Sequence, residues 1–303
     1  MKKPIIIDTD PGIDDVVAIT AALFSEELDV RLITTVGGNV GIENTTKNAV
    51  DLLTFLGKDT PVAKGASEPL VRKPRTASHV HGSTGVGEYR FEAKANEALL
   101  SNENAIVALR NHIMYSLEPV TLVAIGPLTN IALLLKTFPE TLNNMEEIVL
   151  MGGAVEGGNA TPVAEFNIFA DPHAAKIVFD ADIHIIMCGL DVTRLTSVTN
   201  EDVEKLNGLG DAGKMVYDML DYYKHTYSDG SISIHDVCTI IYLTCPDLFD
   251  VKRANVNVVT EGEAAGCTIT NYMDDGNVSV CIDADVNEFR AKFISIFQTI
   301  LER

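Results

Sequence analysis

Short Ile/Val-rich runs recur along this chain, and stretches of helical periodicity separate several of them. The runs are PIIID (4–8), DVRLITTV (29–36), PVAK (61–64), VTLVAI (120–125), EIVLM (147–151) and IHIIMCG (183–189). Helical patterns occupy 14–25, 42–57, 127–136 and 172–181. Strand, helix, strand at this spacing predicts a parallel sheet with crossover helices. The runs do not alternate cleanly between apolar and polar residues, as expected of strands buried on both faces. The fold class that follows is α/β, with a mostly parallel central sheet and Rossmann-like crossover helices.

Local signals agree with this reading. In FADPHAA, Asp171 is placed to cap a helix with Pro172 at its first position. In SVTNEDVEKL, Thr199 is followed three residues later by an acid, the pattern of a capping box. Residues 199–245 read as a helical insertion, 254–283 as a late β segment and 285–302 as an amphipathic helix. The glycine- and proline-rich stretch 65–92 lacks periodicity and reads as a long loop, a common place for function. No Pro/Ser-rich linker interrupts the chain, so a single domain over 1–303 is expected.

Composition narrows the function. Lys plus Arg number 23 against 43 Asp plus Glu, a net charge of −20. That balance argues against a nucleic-acid backbone or an anionic membrane surface as partner. The five cysteines, at 188, 238, 245, 267 and 281, form no C-x-x-C pair and fit a reducing cytosol. The apolar run in MKKPIIIDTD is too short for a signal peptide, and no stretch is long enough to span a membrane. A cytoplasmic location is expected.

In open α/β sheets, ligands bind beyond the carboxyl ends of the strands. The first strand ends in IIIDTDPGIDD, which places Asp8, Asp10, Asp14 and Asp15 within eight positions. Crowded like charges carry an electrostatic cost. A helix N-terminus would account for Asp14 and Asp15 but not for Asp10. Later strand ends add Gly37-Gly38-Asn39, then Gly126, Pro127, Thr129 and Asn130, then Gly152 and Gly153 followed by Glu165, Phe166 and Asn167, and finally Asp191. Arg194 is almost the only cation on this rim. Several carboxylates with a backbone carbonyl suit a hard cation such as Ca²⁺ or Mg²⁺. Ser233-Ile234-His235-Asp236 admits a plainer reading, as a capping box before VCTIIYL. There is no G-x-x-x-x-G-K-[ST] and no H-E-x-x-H, and HGSTGVG does not follow a strand as a dinucleotide fingerprint would.

IIIDTDPGIDD, TTVGGN, VAIGPLTNIALLL, MGGAVEGGNATPVAEFNIFADPHAA, MCGLDVT and the later HD, in this order, resemble the inosine-uridine-preferring nucleoside hydrolase family. The resemblance is strongest to the bacterial broad-specificity ribonucleoside hydrolases. It implies hydrolysis of the N-glycosidic bond of ribonucleosides, with a tightly held Ca²⁺ and a water bound to it, and a homodimer or homotetramer. It also implies Asp10, Asp15, Asp236 and the main-chain carbonyl of Ile125 as metal ligands, with Asp10 doubling as general base. Family members often carry Thr where this chain has Ile125. Asp14, Asn39, Glu165 and Asn167 would bind ribose hydroxyls, with Met151 near the sugar. His235 would lie beside the base and protonate it as it leaves, and His81 would be a second histidine there. Tyr223 and Tyr227 would close over the base. The chain has no Trp, so tyrosine and Phe166 remain for stacking. Broad or pyrimidine-leaning specificity is expected.

Two other functions compete. A haloacid-dehalogenase-like phosphatase also places two aspartates one residue apart after an apolar strand, as Asp8 and Asp10 are here, but the lysine expected near phosphate is not evident. A non-catalytic, calcium-dependent nucleoside-binding protein would keep Asp14, Asn39 and Asn167. The presence of both Asp10 and His235 argues against it.

Overall fold

The computed structural model describes residues 2–224 and 231–301. Its strands are β1 (Lys3–Thr9), β2 (Leu28–Thr35), β3 (Val62–Lys64), β4 (Val120–Ala124), β5 (Met145–Met151), β6 (Ile185–Cys188), β7 (Val198–Thr199), β8 (Ser231–Ile232), β9 (Phe249–Val258), β10 (Thr268–Tyr272) and β11 (Val278–Ala284). The helices are α1 (Ile13–Phe24), α2 (Ile42–Leu56), α3 (Ser78–His81), α4 (Ala105–Met114), α5 (Thr129–Thr137), α6 (Phe166–Ala170), α7 (Pro172–Phe179), α8 (Leu190–Thr193), α9 (Asn200–Leu206), α10 (Gly210–Tyr223), α11 (Val237–Thr244) and α12 (Val286–Leu301).

Nine strands form one sheet in the order β10-β9-β11-β6-β5-β4-β1-β2-β3. From β6 to β3 every pair is parallel. The chain builds β1, β2 and β3 outward in one direction, then returns to lay β4 on the other side of β1. The strand order therefore reverses at β1/β4, and the crevice beyond their carboxyl ends is where such sheets bind ligands.

The run Ile5-Ile6-Ile7 explains why β1 sits centrally. Ile5 and Ile7 enter the core on one face, with Phe289, Phe293 and Phe297 of α12. Ile6 enters the core on the other face, with Leu109 of α4 and Ile131 of α5. All three isoleucines are fully buried. A strand covered on both sides has no polar face to show, so its sequence reads as a block.

The late β segment is part of this same sheet. β11 lies parallel beside β6, β9 runs antiparallel to β11, and β10 runs antiparallel to β9. The insertion at 199–245 is helical, as expected, with α9, α10 and α11, but it also holds the antiparallel pair β7–β8. α4 was not anticipated. Its N-cap is Asn104, whose side chain accepts from the Val107 N–H at 3.0 Å. The caps read at Asp171 and Thr199 are present. The capping box suggested at Ser233–Asp236 is not. α11 begins at Val237 with Asp236 as its N-cap, and the Ser233 hydroxyl bonds that of Ser197 at 3.0 Å instead. Asp236 is thereby left to other work.

Candidate active site

β1 ends at Thr9, and Asp10-Pro11-Gly12 turns directly into α1. The turn is held by Asp15, in the first turn of that helix. Its Oδ1 accepts from the Thr9 hydroxyl at 2.5 Å and the Asp10 N–H at 3.2 Å, and its Oδ2 accepts from the Gly12 N–H at 2.9 Å. The end of β2 reaches across to the same turn. The Asn39 N–H donates to Asp10 Oδ2 at 2.6 Å, and its side-chain amide donates to Asp15 Oδ2 at 3.0 Å. Among the described residues, Asp10 Oδ1 is buried without a hydrogen-bond partner.

Asp236 arrives from the far end of the insertion. One carboxylate oxygen from each of Asp14, Asp15 and Asp236 lies within 4.8 Å of the others. Asp10 is outside this tight trio, although its carboxyl feels the charges of Asp14 and Asp15. Burial pushes Asp10 and Asp236 well above the ordinary carboxylate range, and neighbouring aspartates push them further. Burial and Asp15 raise Asp14 to about 8. Among the described residues, no lysine or arginine forms an ion pair with any of the four. Buried, unpaired carboxylates are costly unless protonated or joined by a cation. An all-oxygen donor set with one orphan oxygen, at Asp10 Oδ1, fits a hard divalent ion.

The cluster forms the floor of a cavity of about 580 Å³. Asp14, Asn39, His81, Ile125, Met151, Glu165, Phe166, Asn167, Tyr223, His235 and Asp236 line it, whereas Asp10 and Asp15 lie beneath its surface. Tyr227 falls outside the described residues. The Asn167 amide donates to the carbonyls of Ile125 and Met151, each at 3.1 Å, and so ties the ends of β4 and β5 together. Glu165 caps α6. Its Oε1 accepts from the Asn167 N–H at 2.9 Å, and its Oε2 from Gly153 at 3.0 Å and Ile168 at 3.1 Å. Glu165 lines the cavity while its oxygens hold the loop after β5 and the start of α6.

The histidines His81 and His235 line the cavity together with Tyr223. His81, on α3 in the long loop, stacks on Tyr223 at 5.4 Å between centroids, and its Nδ1 accepts from the Ile13 N–H at 3.2 Å. Burial drives His81 down to about 3. His235 is pushed down to about 4 by burial and by Arg194. Both rings are neutral at pH 7.

Other rim residues turn out to be structural. Asp191 accepts from the Val155 and Glu156 N–H groups at 2.7 and 3.0 Å and pins the loop after β5. Asp8 points away from the cavity cluster, accepting from Thr34 at 2.5 Å and from Asn130 at 2.7 Å. Arg75, Thr76, His79, Asn159 and Phe169 also line the cavity. None of these five was singled out from the sequence, although Asn159 and Phe169 lie within MGGAVEGGNATPVAEFNIFADPHAA.

Fold and site together define an α/β enzyme whose cavity is floored by carboxylates at the sheet's switch point. The chain belongs to the inosine-uridine preferring nucleoside hydrolase family, whose model matches residues 5–291. It is therefore a hydrolase of the N-glycosidic bond. It is similar to the non-specific ribonucleoside hydrolase RihC of Escherichia coli (strain SMS-3-5 / SECEC), with 47% identity over 297 residues, 96% of each chain. Among solved structures it is similar to the purine-preferring ribonucleoside hydrolase from Gardnerella vaginalis, with TM-score 0.91 and 31% identity over 99% of both chains. It is also similar to the plant nucleoside hydrolase PpNRh1, with TM-score 0.90 and 32% identity over 98% of this chain and 99% of that one. Among the described residues, no helix is long and apolar enough to cross a membrane.

Proposed function

We propose that this enzyme hydrolyses ribonucleosides of broad or pyrimidine-leaning specificity to ribose and free base, with Ca²⁺ held by Asp10, Asp15, Asp236 and the Ile125 carbonyl. The observation that carries this reading is a set of four buried carboxylates with no lysine or arginine partner among the described residues, two of which, Asp14 and Asp236, line one cavity with two neutral imidazoles. When bound, the cation would supply Lewis-acid activation of water and positive charge toward the ribose hydroxyls.

The chain's own residues do the rest. Breaking the glycosidic bond develops positive charge on the sugar, which the carboxylate floor stabilises. Asp14, Asn39 and Asn167 hold the ribose hydroxyls, with Glu165 adding charge and Met151 packing beneath. Asp10 acts as general base toward the attacking water. Negative charge collects on the departing base. His235, as a neutral ring, meets it as an N–H donor, as a neutral imidazole can. His81, Tyr223 and Phe166 enclose the base. The absence of Trp and the non-specific relative support broad specificity. The working unit is one domain over 1–303, acting in the cytoplasm as a homodimer or homotetramer.

The test is ribose release from uridine, cytidine, inosine and adenosine by wild type and Asp10→Ala, with calcium content measured on both. Wild type is expected to cleave all four and Asp10→Ala none at a comparable rate. A purine-only profile overturns the specificity. Unchanged nucleoside with calcium-loaded protein points to a binding protein, and phosphate release from phosphomonoesters without ribose release points to a phosphatase.

A further inference from the structure

Hydroxyl side chains recur in the segment after β6, and three of them reach toward the segment that carries His235. Thr193 Oγ1 lies 2.8 Å from His235 Nδ1, Thr196 Oγ1 lies 3.0 Å from Cys238 Sγ, and Ser197 Oγ lies 3.0 Å from Ser233 Oγ. Just beyond them, Val198 pairs with Ile232 and Thr199 with Ser231. Residues 193–199 thus form a cradle in which 231–238 is laid. All three hydroxyl-bearing residues are buried, and Thr193 has no exposed surface at all. The short helix α8 holds Thr193 in place, its N–H donating to the Gly189 carbonyl at 3.0 Å.

We infer that Thr193 is a positioning residue for the leaving base: its hydroxyl holds the Nδ1 edge of His235 and so presents Nε2 to the cavity. The inference rests on the proposed role of His235 toward the departing base. The geometry leaves Nε2 as the ring nitrogen that the Thr193 contact does not use, on a side chain that lines the cavity. A hydroxyl that donates to Nδ1 also leaves the ring proton on Nε2, because which nitrogen carries it follows from the bond the other one makes. Thr196 and Ser197 have no such histidine partner, so within the cradle only Thr193 has this task.

The experiment compares uridine with p-nitrophenyl β-D-ribofuranoside, whose leaving group departs without help from a donor. Thr193→Val is expected to lose about 10-fold or more in kcat on uridine, while kcat on the nitrophenyl riboside stays within about twofold. Thr193→Ser is expected to restore uridine turnover. Thr196→Val removes a hydroxyl from the same cradle and is expected to lower thermal stability without separating the two substrates. If Thr193→Val does not fold, Thr193→Ala against Thr193→Ser makes the same comparison. His235→Ala separates the two ideas. If it slows both substrates equally, the donor role of His235 fails. If it is selective for uridine but the Thr193 variants are not, the positioning inference fails alone.

Discussion

The main-chain N–H of Asn39 donates to Asp10 Oδ2 at 2.6 Å, so the end of β2 orients the carboxylate at the end of β1. That approach depends on a missing side chain. A Cβ at Gly38 would lie 2.0 Å from Asp10 Oδ2, and one at Gly126 would lie 2.7 Å from Asp10 Oδ1. Two glycines, in the loops after β2 and β4 on either side of β1, therefore leave room for one carboxylate. Gly38→Ala is expected to displace Asp10 and reduce kcat/KM on uridine about 100-fold, as misplacements of about 1 Å do. Steady-state kinetics beside a thermal melt check this. A folded Gly38→Ala protein with near wild-type kinetics would show that the carboxylate has other room.

Removal of the cation should have a pH-dependent cost. Burial raises Asp10, Asp14, Asp15 and Asp236 in the cation-free fold, and neighbouring aspartates raise Asp10, Asp14 and Asp236 further, with Asp14 near 8. Acids raised above their unfolded values keep protons that the unfolded chain has already released, so the cation-free protein loses stability as pH rises through the folded values. The cation binds the deprotonated set and competes with those protons. The melting-temperature gap between calcium and EDTA is therefore expected to widen from pH 5 to pH 8.5. At about 100 times Kd, calcium stabilises by about 2.7 kcal/mol, a shift of several degrees. A gap that is flat or narrows with pH contradicts this account of the site.

Asp8 provides a second pH test, away from the cavity. Burial raises it from 3.8 to about 7 against the pull of Thr34 and Asn130, and its Oδ2 has no partner. Between these two values the unfolded chain ionises Asp8 while the folded chain keeps the proton. Its contribution is intact below 3.8 and lost as pH approaches 7. Over that window the loss amounts to roughly 4 kcal/mol. Asp8→Asn cannot ionise, so its stability relative to wild type is expected to improve from pH 4.5 to pH 8 in denaturant titrations. Parallel curves for the two proteins would show that folded Asp8 is already ionised at pH 4.5, as it is in the unfolded chain, and contradict the raised value.

A substrate change probes the floor without mutating it. 2′-Deoxyuridine lacks one of the hydroxyls that Asp14, Asn39, Asn167 and the cation would hold. A site built to bind a hydroxyl rejects the analogue lacking it, because its buried polar groups are left unmet. Turnover of 2′-deoxyuridine is expected to fall at least about 100-fold below that of uridine. Comparable rates would count against the hydroxyl-binding assignment.

Much of the fold was legible from local pattern. Ile5-Ile6-Ile7 reads as a strand covered on both faces, and it is one. The dipole reading of Asp14 and Asp15 was partly right, since both begin α1. It did not reveal that Asp15 also holds the turn through Thr9, Asp10 and Gly12. Nor did local pattern reveal that Asp8 bonds Thr34 of β2 and Asn130 of α5.

What the sequence determined by itself was the set of local preferences: which segments bury both faces, where helices start, and which strand ends carry carboxylates. Those follow from side-chain periodicity and capping chemistry over a few residues. Only the tertiary structure decided which distant segments meet. Asp236 reaches Asp14 and Asp15 because α11 packs beside α1, and Ser233 bonds Ser197 because β8 pairs with β7. The late strands extend the main sheet because β11 lies beside β6. Such neighbours are set by strand order and packing across the whole chain, which no local pattern encodes.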